Sequence, residues 1–174
     1  SSGKVAFKIN GKTIGYDNVS FGKASLTYKL PDYAAKKYNI TVVYGENNKY
    51  VSAKQNTTLT LQKLNTKTTF TTKTINDTLR INVKTIDEHN KTVNTGKIAV
   101  KLNGKTIGLY NNTDVVDYKI PQSWTNKNVT VLVIYGENSV YNTSRHQEKI
   151  TIKQNNLKNK QNSMKKYDII VNYY

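Results

Sequence analysis

The chain contains the same run of residues twice, about ninety positions apart. Residues 3–15 read GKVAFKINGKTIG and residues 96–108 read GKIAVKLNGKTIG. The run VVYGEN at 42–47 likewise returns as VIYGEN at 133–138. Repetition of this length means that one supersecondary pattern is built more than once. Any fold for this chain must therefore accommodate two copies of one pattern that are similar over about sixty residues of each.

Alternation of apolar and polar residues predicts β-strands inside each copy. Val5, Phe7 and Ile9 alternate with polar or small residues, and a period of two places one set against a core and the other in water. Asn10-Gly11 follows as a hairpin signal, because both residues tolerate positive φ. Short strands separated by turn signals favour an antiparallel sandwich. The predicted fold class is all-β, with two tandem immunoglobulin-like antiparallel β-sandwiches.

The two copies differ in what precedes the shared run. Before the second copy stand two further strand-like segments, TKTTFTTKTI at 66–75 and TLRINVKTID at 78–87. The first copy begins at its third strand. The predicted domains are therefore an incomplete one at 1–63 that lacks its two N-terminal strands, a complete one at 64–154, and a tail at 155–174.

The tail carries a strand-like segment of its own, at about 166–174. YDIIVNYY at 167–174 alternates over the same length as LRINVKTI at 79–86. A sandwich without its leading strands would expose sheet edges and apolar side chains, and this segment is predicted to fill that gap. The predicted donor side chains are Tyr167, Ile169, Val171 and Tyr173. The predicted acceptor core consists of Val5, Phe7, Ile9, Ile40 and Val42.

Three arrangements are consistent with this pattern. The tail of one molecule enters the first domain of the next, as in strand-addition systems, and contacts of this kind that do not close produce a filament. Alternatively, the chain is a piece of a longer tandem array. In the third arrangement, the tail folds back onto its own first domain.

The charge is strongly positive but evenly spread. The formal net charge is +16, from 27 Lys and Arg against 11 Asp and Glu. These residues stand mainly at outward strand positions, which indicates a solvated surface, and no nucleic-acid-binding motif accompanies them. No nucleic acid is therefore expected as a partner, while an acidic wall polymer stays open. The chain has no Cys. It also has no run of eighteen apolar residues, so no transmembrane segment is predicted.

The sequence offers little material for catalysis. His89 and His146 have no counterpart in the other copy, and no P-loop, EF-hand or nucleophile elbow occurs. No catalytic residue, metal or cofactor is therefore predicted, and the chain is not expected to be an enzyme. Eight Asn-x-Ser/Thr sequons, which exceed chance expectation, predict surface loops that can carry glycans. The candidate N-glycosylation sites are Asn18, Asn39, Asn56, Asn76, Asn90, Asn111, Asn128 and Asn142.

These motifs resemble the immunoglobulin-like repeat of adhesin-like surface proteins from methanogenic archaea. The matching residues are TKTT at 66–69, the run at 96–108, YKIP at 118–121 and VTVLVIYGENSVY at 129–141. The second copy covers the whole repeat and the first covers its last two thirds. The resemblance implies an extracellular, non-enzymatic scaffold that serves as a stalk, and it supplies no binding site.

Sequence and resemblance together predict a cell-surface structural protein that forms a fibre or stalk. Its main partner would be a second copy of itself, joined head-to-tail by the tail strand; a host or neighbouring cell surface is a further expected partner. The alternatives are a fragment of a long adhesin stalk, or a basic module that binds an acidic wall polymer.

Overall fold

A computed structural model describes residues 3–153, and in that range the chain is all-β without an α-helix. The strands form three sheets in which all neighbours are antiparallel. The strands are β1 (Lys4–Ile9), β2 (Lys12–Asn18), β3 (Lys37–Tyr44), β4 (Ala53–Thr60), β5 (Thr66–Ile75), β6 (Thr78–Asp87), β7 (Lys97–Leu102), β8 (Lys105–Asn111), β9 (Val115–Lys119), β10 (Asn128–Tyr135) and β11 (Ser144–Thr151). The predicted all-β class is confirmed, and the sheets are compatible with an immunoglobulin-like sandwich.

The chain divides into two compact units between Leu64 and Asn65. We refer to residues 3–64 as unit 1 and to residues 65–153 as unit 2. Unit 1 contains β1 to β4, and unit 2 contains β5 to β11.

Unit 2 is a sandwich of two sheets. One sheet has the order β11-β10-β7-β8, and the other has the order β5-β6-β9. Alternate residues of both sheets point inward and are fully buried, as the sequence periodicity requires. These buried residues include Val100, Val131 and Val133 from the first sheet, and Leu79, Ile81 and Val116 from the second. The core of unit 2 is therefore supplied by both sheets.

Unit 1 contains one four-stranded sheet within the described residues, with the order β2-β1-β3-β4. This order matches the β8-β7-β10-β11 sheet of unit 2 strand for strand. Even the irregularities coincide, because the register between the first two strands shifts after Phe7 in unit 1 and after Val100 in unit 2. The sequence repeat is thus a repeat of one sheet with one register.

The recurrent GEN segment closes the same turn in both units. In unit 1 the side-chain amide of Asn47 donates to the Tyr44 hydroxyl at 2.8 Å, and its oxygen accepts the backbone N–H groups of Lys49 and Tyr50. Asn138 makes the corresponding bonds in unit 2, with 2.8 Å to the Tyr135 hydroxyl. One Asn side chain therefore fixes both the turn and the inward Tyr.

The units differ where unit 2 has β9. This strand pairs with β6 over Thr78–Asn82 and Val115–Lys119, and the equivalent residues 25–29 of unit 1 form no strand. Unit 1 therefore lacks the counterparts of β5, β6 and β9, one strand more than the two expected from the sequence. The cause is the missing partner, since a strand forms by pairing its N–H and C=O groups with a neighbour.

Candidate functional site

The open face of the unit 1 sheet is the most distinctive surface of the described chain. It contains a groove of about 910 Å³. Its lining comes from β1, β3 and two loops, and polar and apolar atoms contribute to it about equally. The lining residues are Gly3, Val5, Val19, Ser20, Phe21, Gly22, Ala24, Val42, Tyr44, Tyr50 and Val51. We call this feature the unit 1 groove.

The predicted acceptor core lies together on this sheet. Val5 pairs with Tyr44, Phe7 with Val42, and Ile9 with Ile40 across β1 and β3, so these side chains share one face. Val5 and Ile9 are buried, whereas Phe7, Ile40 and Val42 are half-buried. Only Val5 and Val42 of the predicted set line the groove itself.

The corresponding face of unit 2 is covered. Ile98 pairs with Tyr135, Val100 with Val133, and Leu102 with Val131. All six side chains are 0–1% exposed, because β5, β6 and β9 lie over them. The same cross-strand pairs thus form a closed core in unit 2 and a partly open face in unit 1, where only Val5 and Ile9 of the six side chains are buried.

The two equivalent tyrosines show how far this environment differs. Burial raises the pKa of the Tyr135 hydroxyl, and hydrogen bonds to Asn138 and Thr95 partly oppose that shift. Tyr44 makes the same Asn contact but is only half-buried, and its ring lies against Tyr50 at 6.5 Å between centroids. Tyr44 therefore lines the groove of unit 1, whereas the equivalent Tyr135 lies inside the core of unit 2.

Apolar side chains at the rim of the groove are unusually exposed. Val51 is 80% exposed and Phe21 is fully exposed, at 103%. Phe21 lies in a turn that is three residues longer in unit 1 than in unit 2 and has a positive φ of 50°. Exposed apolar surface that lines a groove marks an interaction site more often than isolated apolar residues do.

Unit 2 has a buried polar network beneath its second sheet that unit 1 does not repeat. The Thr85 hydroxyl donates to Asn112 Oδ1 at 2.9 Å, and Asn112 Nδ2 donates to the Val93 carbonyl at 2.6 Å. Thr85 also lies 3.3 Å from the Thr68 hydroxyl, which is 2.7 Å from that of Ser144. Each buried hydroxyl is therefore partnered, as buried polar groups require.

The residues predicted to donate a strand, Tyr167, Ile169, Val171 and Tyr173, lie outside the described residues. Their role stays a prediction. Sequence reasoning missed Val19, Phe21, Tyr50 and Val51, which form the groove wall. The available signal was the three-residue extension between Val19 and Leu26 relative to the second copy, together with the apolar pair at 50–51.

The candidate glycosylation sites lie at strand ends, on outer strand positions and in turns. Seven of the eight are exposed, and Asn142 is half-buried. The amide nitrogen of Asn142 donates to Asn65 Oδ1 at 2.9 Å, and that of Asn111 lies 3.4 Å from Asp114 Oδ1. Asn76 and Asn90 occupy turns with positive φ of 54° and 61°.

The two histidines belong to unit 2, and neither is among the residues that line the unit 1 groove. His146 Nε2 lies 2.6 Å from Glu148 Oε1, and its ring contacts Phe70 at 5.2 Å between centroids. His89 is exposed beside Glu88. Among residues 3–153 no group of three or more His, Cys, Asp or Glu side chains is placed to hold a metal. No helix in that range is long and apolar enough to cross a membrane.

Comparison with known proteins adds little to this geometry. No protein-family model matches the chain, and no curated protein matches it. Two solved structures of a β-glucuronidase from Parabacteroides merdae, one with glycerol in its active site, are similar over 84% of this chain at 12% identity. The TM-scores are 0.32 and 0.31, and the chain spans 21% and 20% of the length of those proteins.

Proposed function

We propose that this chain is a non-catalytic structural subunit of an extracellular, cell-surface fibre or stalk. Segment 167–174 of one copy adds a strand to the unit 1 groove of the next copy, so that subunits join head-to-tail. The observation that carries this proposal is the partly uncovered face of unit 1, whose cross-strand pairs are equivalent to those of the closed core in unit 2.

The chemistry of the groove favours a strand as its occupant. Covering it removes apolar surface from water, which stabilises at about 25 cal/mol per Å². A β-strand also offers backbone N–H and C=O groups to residues 25–29, which form no strand in unit 1. Segment 167–174 has the required alternation, with apolar or aromatic residues at 167, 169, 171 and 173.

A binding site for an acidic polymer is supported less well by this surface. The groove lining contains no Lys or Arg, whereas the basic residues are distributed over both units. Charge-driven binding weakens steeply as salt rises, because exposed charges are screened. Strand addition depends on apolar burial and backbone hydrogen bonds, so it persists in salt.

Electron microscopy and light scattering of the purified 174-residue chain test the proposal. We expect filaments from the full chain in both 0.1 M and 1 M salt (concentrations spanning Debye lengths of about 10 to 3 Å), and none after removal of 160–174. Ile169→Asp should abolish assembly, because it buries an unpaired charge. Ile170→Asp is the matched control, since it places the same charge on the opposite face of the strand, and it should assemble.

The other outcomes are distinguishable. Monomers whose unit 1 amides are protected from hydrogen exchange only when 160–174 is present would show that the tail completes its own molecule. Monomers in which truncation changes nothing would exclude strand donation and favour a segment of a longer stalk. Assembly that disappears in 1 M salt (a Debye length of about 3 Å) would favour the basic binding module.

A further inference from the structure

We propose that the unit 1 groove selects a strand with an apolar or aromatic side chain where unit 2 has Thr85, and that Tyr173 of a second copy supplies it. This inference rests on the proposed function and adds the register and the specificity of strand addition. It is carried by two positions at which the otherwise matching sheets differ in chemistry.

The first position is Val19, the counterpart of Asn112. The equivalence is structural, since the Val19 N–H donates to the Gly3 carbonyl at 2.8 Å and the Asn112 N–H donates to the Gly96 carbonyl at 3.1 Å. Asn112 accepts the Thr85 hydroxyl proton in unit 2. Val19 has no polar side-chain atom with which to do so, and it lines the unit 1 groove.

The second position is Ala53, the counterpart of Ser144. Ala53 pairs with Tyr44 in β3, and Ser144 pairs with Tyr135 in β10. Ser144 hydrogen-bonds both Thr66 and Thr68 of β5. Unit 1 has therefore lost the side-chain partners of the polar network on both sides, and a Thr hydroxyl placed there would be buried without them.

These two changes disfavour a strand of the β6 type in unit 1. A threonine at the Thr85 position would lose its hydrogen bond to water without gaining the amide acceptor that Asn112 provides in unit 2. An apolar side chain there loses nothing and removes Val19 from water. The groove is therefore selective against the β5 and β6 segments of neighbouring copies, which would otherwise be competing occupants.

The lining at this end of the groove fits an aromatic side chain. Val19, Tyr44, Tyr50 and Val51 all line the groove, and Tyr50 and Val51 are both exposed in the described chain. Aromatic rings bury large areas and leave the Tyr hydroxyl free to reach water at the rim. When 167–174 is aligned with 79–86, Ile169 takes the position of Ile81 and Tyr173 that of Thr85.

The acceptor for the test is the full chain carrying Ile169→Asp, whose own tail is disabled. Four labelled ten-residue peptides serve as probes: residues 165–174, the same peptide with Tyr173→Thr, the same peptide with Tyr174→Thr, and residues 77–86. Peptides 165–174 and 77–86 each contain two basic residues and one acidic residue, so their net charge is matched. Fluorescence anisotropy gives the four dissociation constants.

We expect Tyr173→Thr to weaken binding about tenfold, which corresponds to about 1.4 kcal/mol, and peptide 77–86 to bind at least as weakly. Tyr174→Thr should bind as the unmodified peptide does, because residue 174 faces away from the groove in this register. Adding Val19→Asn to the acceptor should reduce the tenfold difference, since it restores an acceptor for the Thr hydroxyl.

Failure of the proposed selectivity and failure of strand addition itself give different binding results. Equal binding of all four peptides, or tighter binding of 77–86, overturns the selectivity while strand addition stands. Equal losses from Tyr173→Thr and Tyr174→Thr overturn the register. Absence of binding by every peptide overturns strand addition itself. The peptide comparisons use the acceptor without a groove substitution, so they stand even where Val19→Asn disturbs folding.

Discussion

Units 1 and 2 contain the same four-stranded sheet, and only unit 2 has a second sheet above it. The register, the bulge after Phe7 or Val100, and the Asn–Tyr turn are common to both. The two units differ in burial, since Val133 is fully buried and its counterpart Val42 is half-buried. Sheet geometry therefore follows from local sequence and neighbouring strands, whereas a closed core requires the opposite layer.

The segment of unit 1 that is equivalent to β9 shows that strand formation depends on a pairing partner. Val116 is fully buried in a strand paired with β6, while its counterpart Leu26 is half-buried outside any strand. The sequences are similar, YKLP at 28–31 and YKIP at 118–121. What differs is the partner, so this segment is a strand only where another strand supplies its hydrogen bonds.

The largest expected effect comes from disrupting the second sheet of unit 2, which has no counterpart in the described part of unit 1. Ile81→Asp places a charge in the fully buried centre of β6 and should destabilise unit 2 by about 3–5 kcal/mol, as an uncompensated buried charge does. Hydrogen exchange should show that β9 loses protection together with β6, while β1 to β4 are unchanged.

Ile81→Val is the control for that experiment, and it should cost about 0.5–1.5 kcal/mol without loss of β9. Retention of β9 protection in Ile81→Asp would contradict the view that the partner strand makes this segment a strand. Loss of protection in unit 1 as well would contradict the expectation that the effect of Ile81→Asp stays within unit 2.

A smaller effect is expected from truncating the equivalent valines. Val133→Ala should destabilise unit 2 by about 2–3 kcal/mol, from two lost methyl groups and the cavity that remains. Val42→Ala should destabilise unit 1 by less than about 1 kcal/mol, because that site is partly solvated already. Chemical denaturation monitored by unit-resolved exchange measures both values.

Assembly should change the difference in cost between Val42→Ala and Val133→Ala. When the unit 1 groove is occupied, the cost of Val42→Ala should rise towards that of Val133→Ala. Equal costs in the unassembled chain would mean that the face of unit 1 is already covered by its own molecule.

The smallest expected effect is a pH dependence of the stability of unit 2. Arg80 on β6 bonds Asp117 on β9 through two contacts of 2.8 and 2.7 Å, and this lowers the pKa of Asp117. The counterpart of Asp117 in unit 1 is Thr27, which does not titrate. Because the folded pKa lies below the unfolded value of about 3.9, the stabilisation is present above about pH 4 and is lost as the pH falls through the folded pKa.

Denaturation of unit 2 between about pH 5 and pH 2 should therefore show a small loss of stability that Asp117→Asn removes. The pair is exposed, so screening by salt should reduce the effect. A dependence of the same size in the variant would assign the loss to other carboxylates.

Much of the fold was predictable because its signals are periodic. Alternation at Val5, Phe7 and Ile9 and the Asn-Gly turns predicted the strands and hairpins, and the repeat predicted the equivalence of the two sheets. The groove wall was not predictable, because Val19, Phe21 and Val51 lie in loops with no period. The buried roles of Asn112 and Thr85 also needed the structure, since a polar residue in a strand or loop reads as exposed until its partner is known.

The pairing of β6 with β9 has a consequence for the rate of folding. Thr78 pairs with Lys119, so this contact closes a loop of about forty residues and costs more entropy than closing a short hairpin. Hairpins such as β1–β2 close within a few residues and form on the microsecond scale. Closure of the second layer by this pairing is therefore expected to be slower than hairpin formation in unit 2. In unit 1 the proposed donor would bring that event under the control of subunit concentration, and the lifetime of each joint would be set by its dissociation rate.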